Sequence, residues 1–287
     1  MATWPPTLPS LSGTTAIVTG ANTGIGLVAA QELARAGARV HLACRNATKA
    51  QAAMAAIQEA VPDANLAFLS LDLGSLAAVR AAAEAFLATE EPLHLLVNNA
   101  GLLGKGTTAD GFEANLGVNH IGVFLFTTLL LPRLTDSAPS RIVNVASRAH
   151  TRTKGIDFDG ARKPTPGGTG FEQYCQSKLA NVLFTSELAA RIEGTGVTTA
   201  CLHPGVVASD IWRKVPGPFR WIVKLFMITV EEGALTTLHC ATTNDLVHGG
   251  YYDKCKPVAT SKQGADRELA KRLWAATEEW VATPAPS

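Results

Sequence analysis

The chain has 287 residues, with 25 Lys and Arg against 24 Asp and Glu. It contains no basic block, so it lacks the electrostatic footprint of a nucleic-acid binder. An apolar share of 47% supports a single large buried core across residues 1–287. Five cysteines (Cys44, Cys175, Cys201, Cys240 and Cys255) form no Cys-x-x-Cys pair, and no spacing joins them or His150 to a metal-ligand set. Their pattern fits reduced thiols, and with no visible signal peptide the expected location is the cytoplasm.

Residues 1–12 are proline-rich and hold no apolar run, so an irregular arm that does not span a bilayer is expected. Residues 14–19 form a short β-branched run that reads as a buried strand. It leads into Gly20-Ala21-Asn22-Thr23-Gly24-Ile25-Gly26 and then into helix formers. Strand, glycine turn and helix is the layout that holds a dinucleotide. Gly20 permits a sharp turn, Gly24 keeps side-chain atoms away from phosphate, and Gly26 allows close helix–sheet packing. The helix N-terminus offers N–H groups and partial positive charge to a pyrophosphate. The second strand, 39–43, ends at Cys44-Arg45-Asn46. No acid is available there to bond a ribose hydroxyl, and a guanidinium suits a 2′-phosphate, so NADP(H) is expected over NAD(H).

Further strands are expected at 65–71, 93–98, 141–146, 197–202 and 249–253, with helices between them and a terminal helix over 265–281. The architecture that follows is α/β: one Rossmann-type, doubly wound parallel sheet of about seven strands with helices on both faces. Ligands bind such sheets at the C-terminal strand ends. Gly20, Arg45, Asp72, Asn98, Ser147 and His203 all fall there. Tyr174 and Lys178 stand four residues apart in a segment that reads as helix over 172–192, which puts them on one face. An ammonium beside a phenol, whose ordinary pKa is ~10, should acidify it for proton transfer. His203 lies in a backbone-dictated Pro-Gly turn and reads as structural. Cys175 reads as a buried apolar residue pointing away from Tyr174.

Residues 205–230 crowd Trp212, Phe219, Trp221 and Phe226 among prolines. They read as a lid over a lipophilic substrate, with a dimer contact or plain core as the other readings. Arg213, Lys214, Arg220 and Lys224 would also allow weak contact with a membrane surface.

Together these motifs resemble the short-chain dehydrogenase/reductase family over residues 13–280. Ala43-Cys44-Arg45-Asn46, Gly117-Val118-Asn119-His120, Tyr174-Cys175-Gln176-Ser177-Lys178 and Leu202-His203-Pro204-Gly205-Val206 are similar to its retinol dehydrogenase-like branch. The resemblance implies a catalytic tetrad of Asn119, Ser147, Tyr174 and Lys178. Asp72, with Leu73 beside it, would meet the adenine, and Asn99, Ala100 and Gly101 would floor the cofactor cleft. Pro204, Gly205, Val207 and Ser209 would hold the carboxamide end of the cofactor. In this reading Asn119 sits in a long helix and holds a water joined to Lys178.

The expected activity is NADP(H)-dependent interconversion of a lipophilic aldehyde or ketone, retinoid-like substrates included, and its alcohol. Tyr174 would act as general acid/base, and Ser147 would hold the substrate oxygen. The alternatives are a cofactor-bound sensor or scaffold and a C=C reductase of the protochlorophyllide reductase type. A homo-oligomer is compatible with the family.

Overall fold

The computed structural model describes residues 4, 6–205 and 228–282. Eight strands form one sheet: β1 (Thr15–Thr19), β2 (Arg39–Cys44), β3 (Leu66–Ser70), β4 (Leu95–Asn98), β5 (Ser140–Val145), β6 (Val197–His203), β7 (Gly250–Asp253) and β8 (Lys256–Val258). Their order is β3-β2-β1-β4-β5-β6-β7-β8. Every pairing is parallel except β7 with β8. The order reverses between β1 and β4, and the crevice at that switch point is where an open sheet takes a ligand.

Both faces of the sheet are covered, so alternate strand residues enter two different cores. Ile17, Leu96 and Ile142 face one core with α3 (Leu76–Leu87), α5 (Gly122–Asp136), α6 (Phe171–Arg191) and α8 (Arg267–Ala282). Val18, Val97 and Val143 face the other with α1 (Gly24–Arg35), α2 (Ala47–Ala60) and α7 (Val230–Thr242). Polar side chains start several helices. Asn46 accepts from the Lys49 N–H, Ser75 from Ala78 N–H, and Thr229 forms a reciprocal capping box with Glu232.

Two elements differ from the sequence reading. An eighth strand closes the sheet in a short antiparallel hairpin. Its turn residues, Lys254 and Cys255, have φ of +50° and +60° without the glycine or asparagine that normally marks such a turn. Pro257 fits this edge strand, where the missing N–H costs no ladder bond. The segment around Asn119 is not one uniform helix. A short turn, α4 (Ala114–Leu116), passes into a π-turn (Gly117–Ile121) before α5 begins. The stretch Ala114–Asp136 is long and apolar enough to cross a membrane, but 78% of its apolar window is buried inside the protein, as in a core helix.

Candidate active site

The crevice at the switch point is a cavity of about 690 Å³. Gly20, Asn22, Thr23, Gly24, Ile25 and Gly26 form one wall, and Asp72 and Leu73 form another. Asn99, Ala100 and Gly101 lie between them, with Tyr174, Lys178 and Pro204 toward the far end. The β1–α1 turn is tight. Gly20 has a φ of +67°, and a Cβ on Gly26 would sit 2.4 Å from Asn99 Nδ2 and 2.6 Å from the Gly20 carbonyl. At Gly24 an added Cβ would meet no protein atom, so the room it leaves is room for a ligand. Asn99 locks the opposite side: its Nδ2 donates to the Thr19 carbonyl, and Thr19 Oγ1 accepts from the Asn99 and Ala100 N–H groups.

Several features fit an anionic dinucleotide. Thr23 makes no side-chain cap for α1, so donors at that helix start are left for a ligand. Among the described residues the lining holds the cations Arg45, Lys105 and Lys178 against one acid, Asp72. Arg45 is 77% exposed and 3.8 Å from the Asp72 carboxylate, a loose surface pair that is easily exchanged for a phosphate. Burial pushes the Cys44 thiol up to about 11, so the strand end beside Arg45 carries no negative charge near neutral pH.

Lys178 is 4% exposed, and its Nζ donates to the Val145 carbonyl at 2.9 Å. It stands 5.8 Å from the centre of the Tyr174 ring, on the same side of α6. Burial lowers the Lys178 pKa to about 8. The expected acidification of Tyr174 is not what this geometry gives. Burial raises the phenol's pKa, and hydrogen bonding by Ser147 offsets only part of the rise. The Lys178 ammonium is directed at a backbone carbonyl and does not outweigh that burial.

Ser147 follows β5 and caps a 3₁₀ turn (Arg148–Arg152), its Oγ accepting from the Ala149 N–H at 3.1 Å. That bond uses an oxygen lone pair and leaves the hydroxyl hydrogen free to donate. Asn119 is fully buried in the π-turn. Its Oδ1 accepts from the Leu102 N–H, and its Nδ2 donates to the Leu102 carbonyl and to Ser177 Oγ. The side chain therefore ties the strand-end loop to α6. A Cβ on Gly101 would lie 3.3 Å from both Asn119 Oδ1 and Lys178 Nζ, so these groups meet at one point.

Asn46, expected beside Arg45 at the cofactor, caps α2 with its side chain and is not among the residues lining the cavity. Gly205 also lies off the lining, in a left-handed turn (φ +98°) against Ile228. Val207, Ser209, Trp212, Phe219, Trp221 and Phe226 lie outside the described residues. His203 is buried, with a pKa near 4 from burial, as a structural histidine should be. Asp253 acts on it electrostatically, but that carboxylate is bonded to Arg148. Cys175 is buried and its thiol is pushed up to about 11. Lys105, Ser75, Thr107, Thr108 and Val118 also line the cavity. Val118 stands in the Gly117-Val118-Asn119-His120 motif and Ser75 caps α3, whereas Lys105, Thr107 and Thr108 stand in no motif and are brought there by the loop after β4.

The family model described as short chain dehydrogenase matches residues 14–217. Retinol dehydrogenase 12 of Homo sapiens is 47% identical over 270 residues, covering 92% of this chain and 85% of that protein. Retinol dehydrogenase 11 of Mus musculus is 46% identical over 271 residues, with the same coverage. Among solved structures, an uncharacterized protein from Mycobacterium paratuberculosis matches with a TM-score of 0.79 at 33% identity. That match covers 98% of this chain and 97% of the other.

Proposed function

This chain belongs to the short-chain dehydrogenase/reductase family of oxidoreductases, and from that premise we propose that it is an NADP(H)-dependent enzyme interconverting a lipophilic carbonyl and its alcohol. The observation that carries this reading is the meeting of Tyr174 and Lys178 on the wall of the crevice, with Ser147 hydrogen-bonded to the Tyr174 phenol. When bound, a nicotinamide dinucleotide would supply or accept the hydride. The β1–α1 turn and the uncapped start of α1 would hold its phosphates, with Asp72, Asn99 and Lys178 elsewhere along the crevice.

In the reductive direction Tyr174, kept protonated by burial, gives its phenolic proton to the substrate oxygen. Ser147, whose hydroxyl hydrogen bonds the Tyr174 phenol here, turns that donor to the same oxygen and orients it. Lys178 has donors left beyond its bond to Val145 that would hold the nicotinamide ribose. Arg45 would exchange its loose partner, Asp72, for the 2′-phosphate. A retinoid-like substrate class is supported by the names of the relatives and by the aromatic content of residues 205–230. A cytoplasmic location, weak membrane-surface contact and self-association belong to the same proposal.

The test is loss of reduced-cofactor absorbance with a panel of retinal and aliphatic aldehydes, using NADPH and NADH in parallel. NADPH should be preferred at least ~10-fold in kcat/KM, and Arg45→Ala should erase the preference, the effect of losing one charge-assisted bond. Tyr174→Phe should lower kcat by ~10²–10⁴-fold while NADPH still binds. Tight NADPH binding with no turnover of any carbonyl or alcohol would sink the enzyme reading in favour of a sensor. Equal efficiency with both cofactors would sink only the part played by Arg45.

A further inference from the structure

His150 has no role in the chemistry above, yet it is 1% exposed and lies directly behind the serine. Its Nδ1 is 2.7 Å from the Ser147 carbonyl oxygen. A carbonyl only accepts, so Nδ1 carries the hydrogen. Its Nε2 is 3.3 Å from the Ser261 backbone nitrogen. A backbone N–H only donates, so Nε2 is bare. Both bonds together require a neutral imidazole protonated at Nδ1.

The Ser147 carbonyl is gripped a second time by the His150 backbone N–H at 3.1 Å. Two donors on one carbonyl fix the peptide plane that follows Ser147. That plane leads to Arg148, and the next one carries the Ala149 N–H that donates to Ser147 Oγ. On the far side, Ser261 is itself tied down, its Oγ accepting from the Gly264 N–H and its carbonyl from the Ala265 N–H. The Tyr251 ring meets the imidazole edge-on at 4.9 Å. His203 and the Arg148–Asp253 pair are the other titratable groups gathered here.

We propose that His150 is a positioning residue for Ser147, a neutral Nδ1-protonated brace that clamps the serine's peptide to the segment after β8. The proposal rests on the reading of Ser147 as the group that orients the substrate oxygen. The brace places no atom on substrate or cofactor. It sets the direction of the Ser147 hydroxyl, where a misplacement on the order of 1 Å is enough to cost ~10²-fold in rate. Burial also keeps the imidazole neutral, by holding its pKa below the ordinary value.

The experiment compares wild type with His150→Phe, which keeps a ring against Tyr251 but loses both bonds, and His150→Asn, which keeps an amide donor for the Ser147 carbonyl. His150→Phe should lower kcat by ~10–100-fold with the NADPH dissociation constant unchanged, and His150→Asn should recover most of the loss. Imidazole ¹⁵N shifts of the wild-type protein at about pH 8 should show the Nδ1–H tautomer, with protonation setting in only below the ordinary ~6.5. Wild-type kcat in His150→Phe overturns the proposal, as does an Nε2–H tautomer or a titration near ~6.5. A His150→Phe chain that fails to fold leaves the wild-type tautomer and the kcat of His150→Asn to decide. If the wild type reduces no carbonyl, the enzymatic reading fails, and the ¹⁵N shifts still decide whether the brace exists.

Discussion

Lys178 carries the largest unfavourable burial in the site. Its pKa falls from 10.5 to about 8, so keeping it charged at neutral pH costs about 3 kcal/mol of folding stability. The unfolded chain binds the proton more tightly than the folded one. Stability therefore rises with pH between those two values, and the cost stands at full size below about 8. Lys178→Met, close in shape and free of charge, should raise the melting temperature at neutral pH while abolishing turnover. Thermal melts of the two proteins across alkaline pH check this. Their difference should shrink as pH rises above 8 and vanish past 10.5. A gap that does not depend on pH would mean that burial of the ammonium is not what destabilises the wild type. On the proposed function the residue is kept there because an amine could bond both a ribose and the Val145 carbonyl, which an apolar replacement could not.

Among the elements, the β1–α1 turn is the least tolerant. Gly26→Ala puts a methyl 2.4 Å from Asn99 Nδ2 and 2.6 Å from the Gly20 carbonyl, and one of these is backbone that cannot move aside. The expected cost is about 1–3 kcal/mol of stability from overpacking, with loss of cofactor binding because the turn must open. Urea denaturation and calorimetric titration with NADPH measure the two effects separately. Wild-type binding in this variant would show that the turn does not shape the cleft. This turn was legible from residue order alone, because Gly20, Gly24 and Gly26 each answer to a local backbone demand. Tyr174 and Lys178 were legible for a similar reason, since four residues on a helix set their common face. The π-turn at Asn119 was not legible. It is fixed by bonds to Leu102 and Ser177, far away in sequence, and no local pattern announces them. The β7–β8 turn was hidden in the same way, because Lys254 and Cys255 take left-handed φ without the usual turn residues. Nor could spacing reveal that burial and a carbonyl partner would leave the Tyr174 phenol less acidic than its neighbour suggested.

Across the whole molecule, the helix that carries the site is joined to its neighbours through one buried histidine. His120 follows Asn119 in the π-turn and reaches α8 through Thr277 at 3.0 Å. Its ring packs edge-on against Phe184 of α6, the helix that carries Tyr174 and Lys178. Burial lowers the pKa of His120 to about 3 and that of His203 to about 4. Burial lowers His41 and His150 as well, with Glu91 opposing the shift at His41. Each of these groups takes up a proton on unfolding once pH falls below the ordinary value near ~6.5, so folding stability falls with acid. His120 and His203 alone should give a slope of about 2–3 kcal/mol per pH unit between roughly pH 5 and pH 6. Carboxylates add to the loss only below that window, since their ordinary values lie near ~4. Urea midpoints measured across the window should fall steeply for the wild type and less steeply for His120→Gln, by about one proton's share. Equal slopes would mean that His120 is not held neutral. A reduced slope would tie acid lability to the joint where the π-turn, α6 and α8 meet, so the Tyr174–Lys178 face would be lost in the same transition that frees His120.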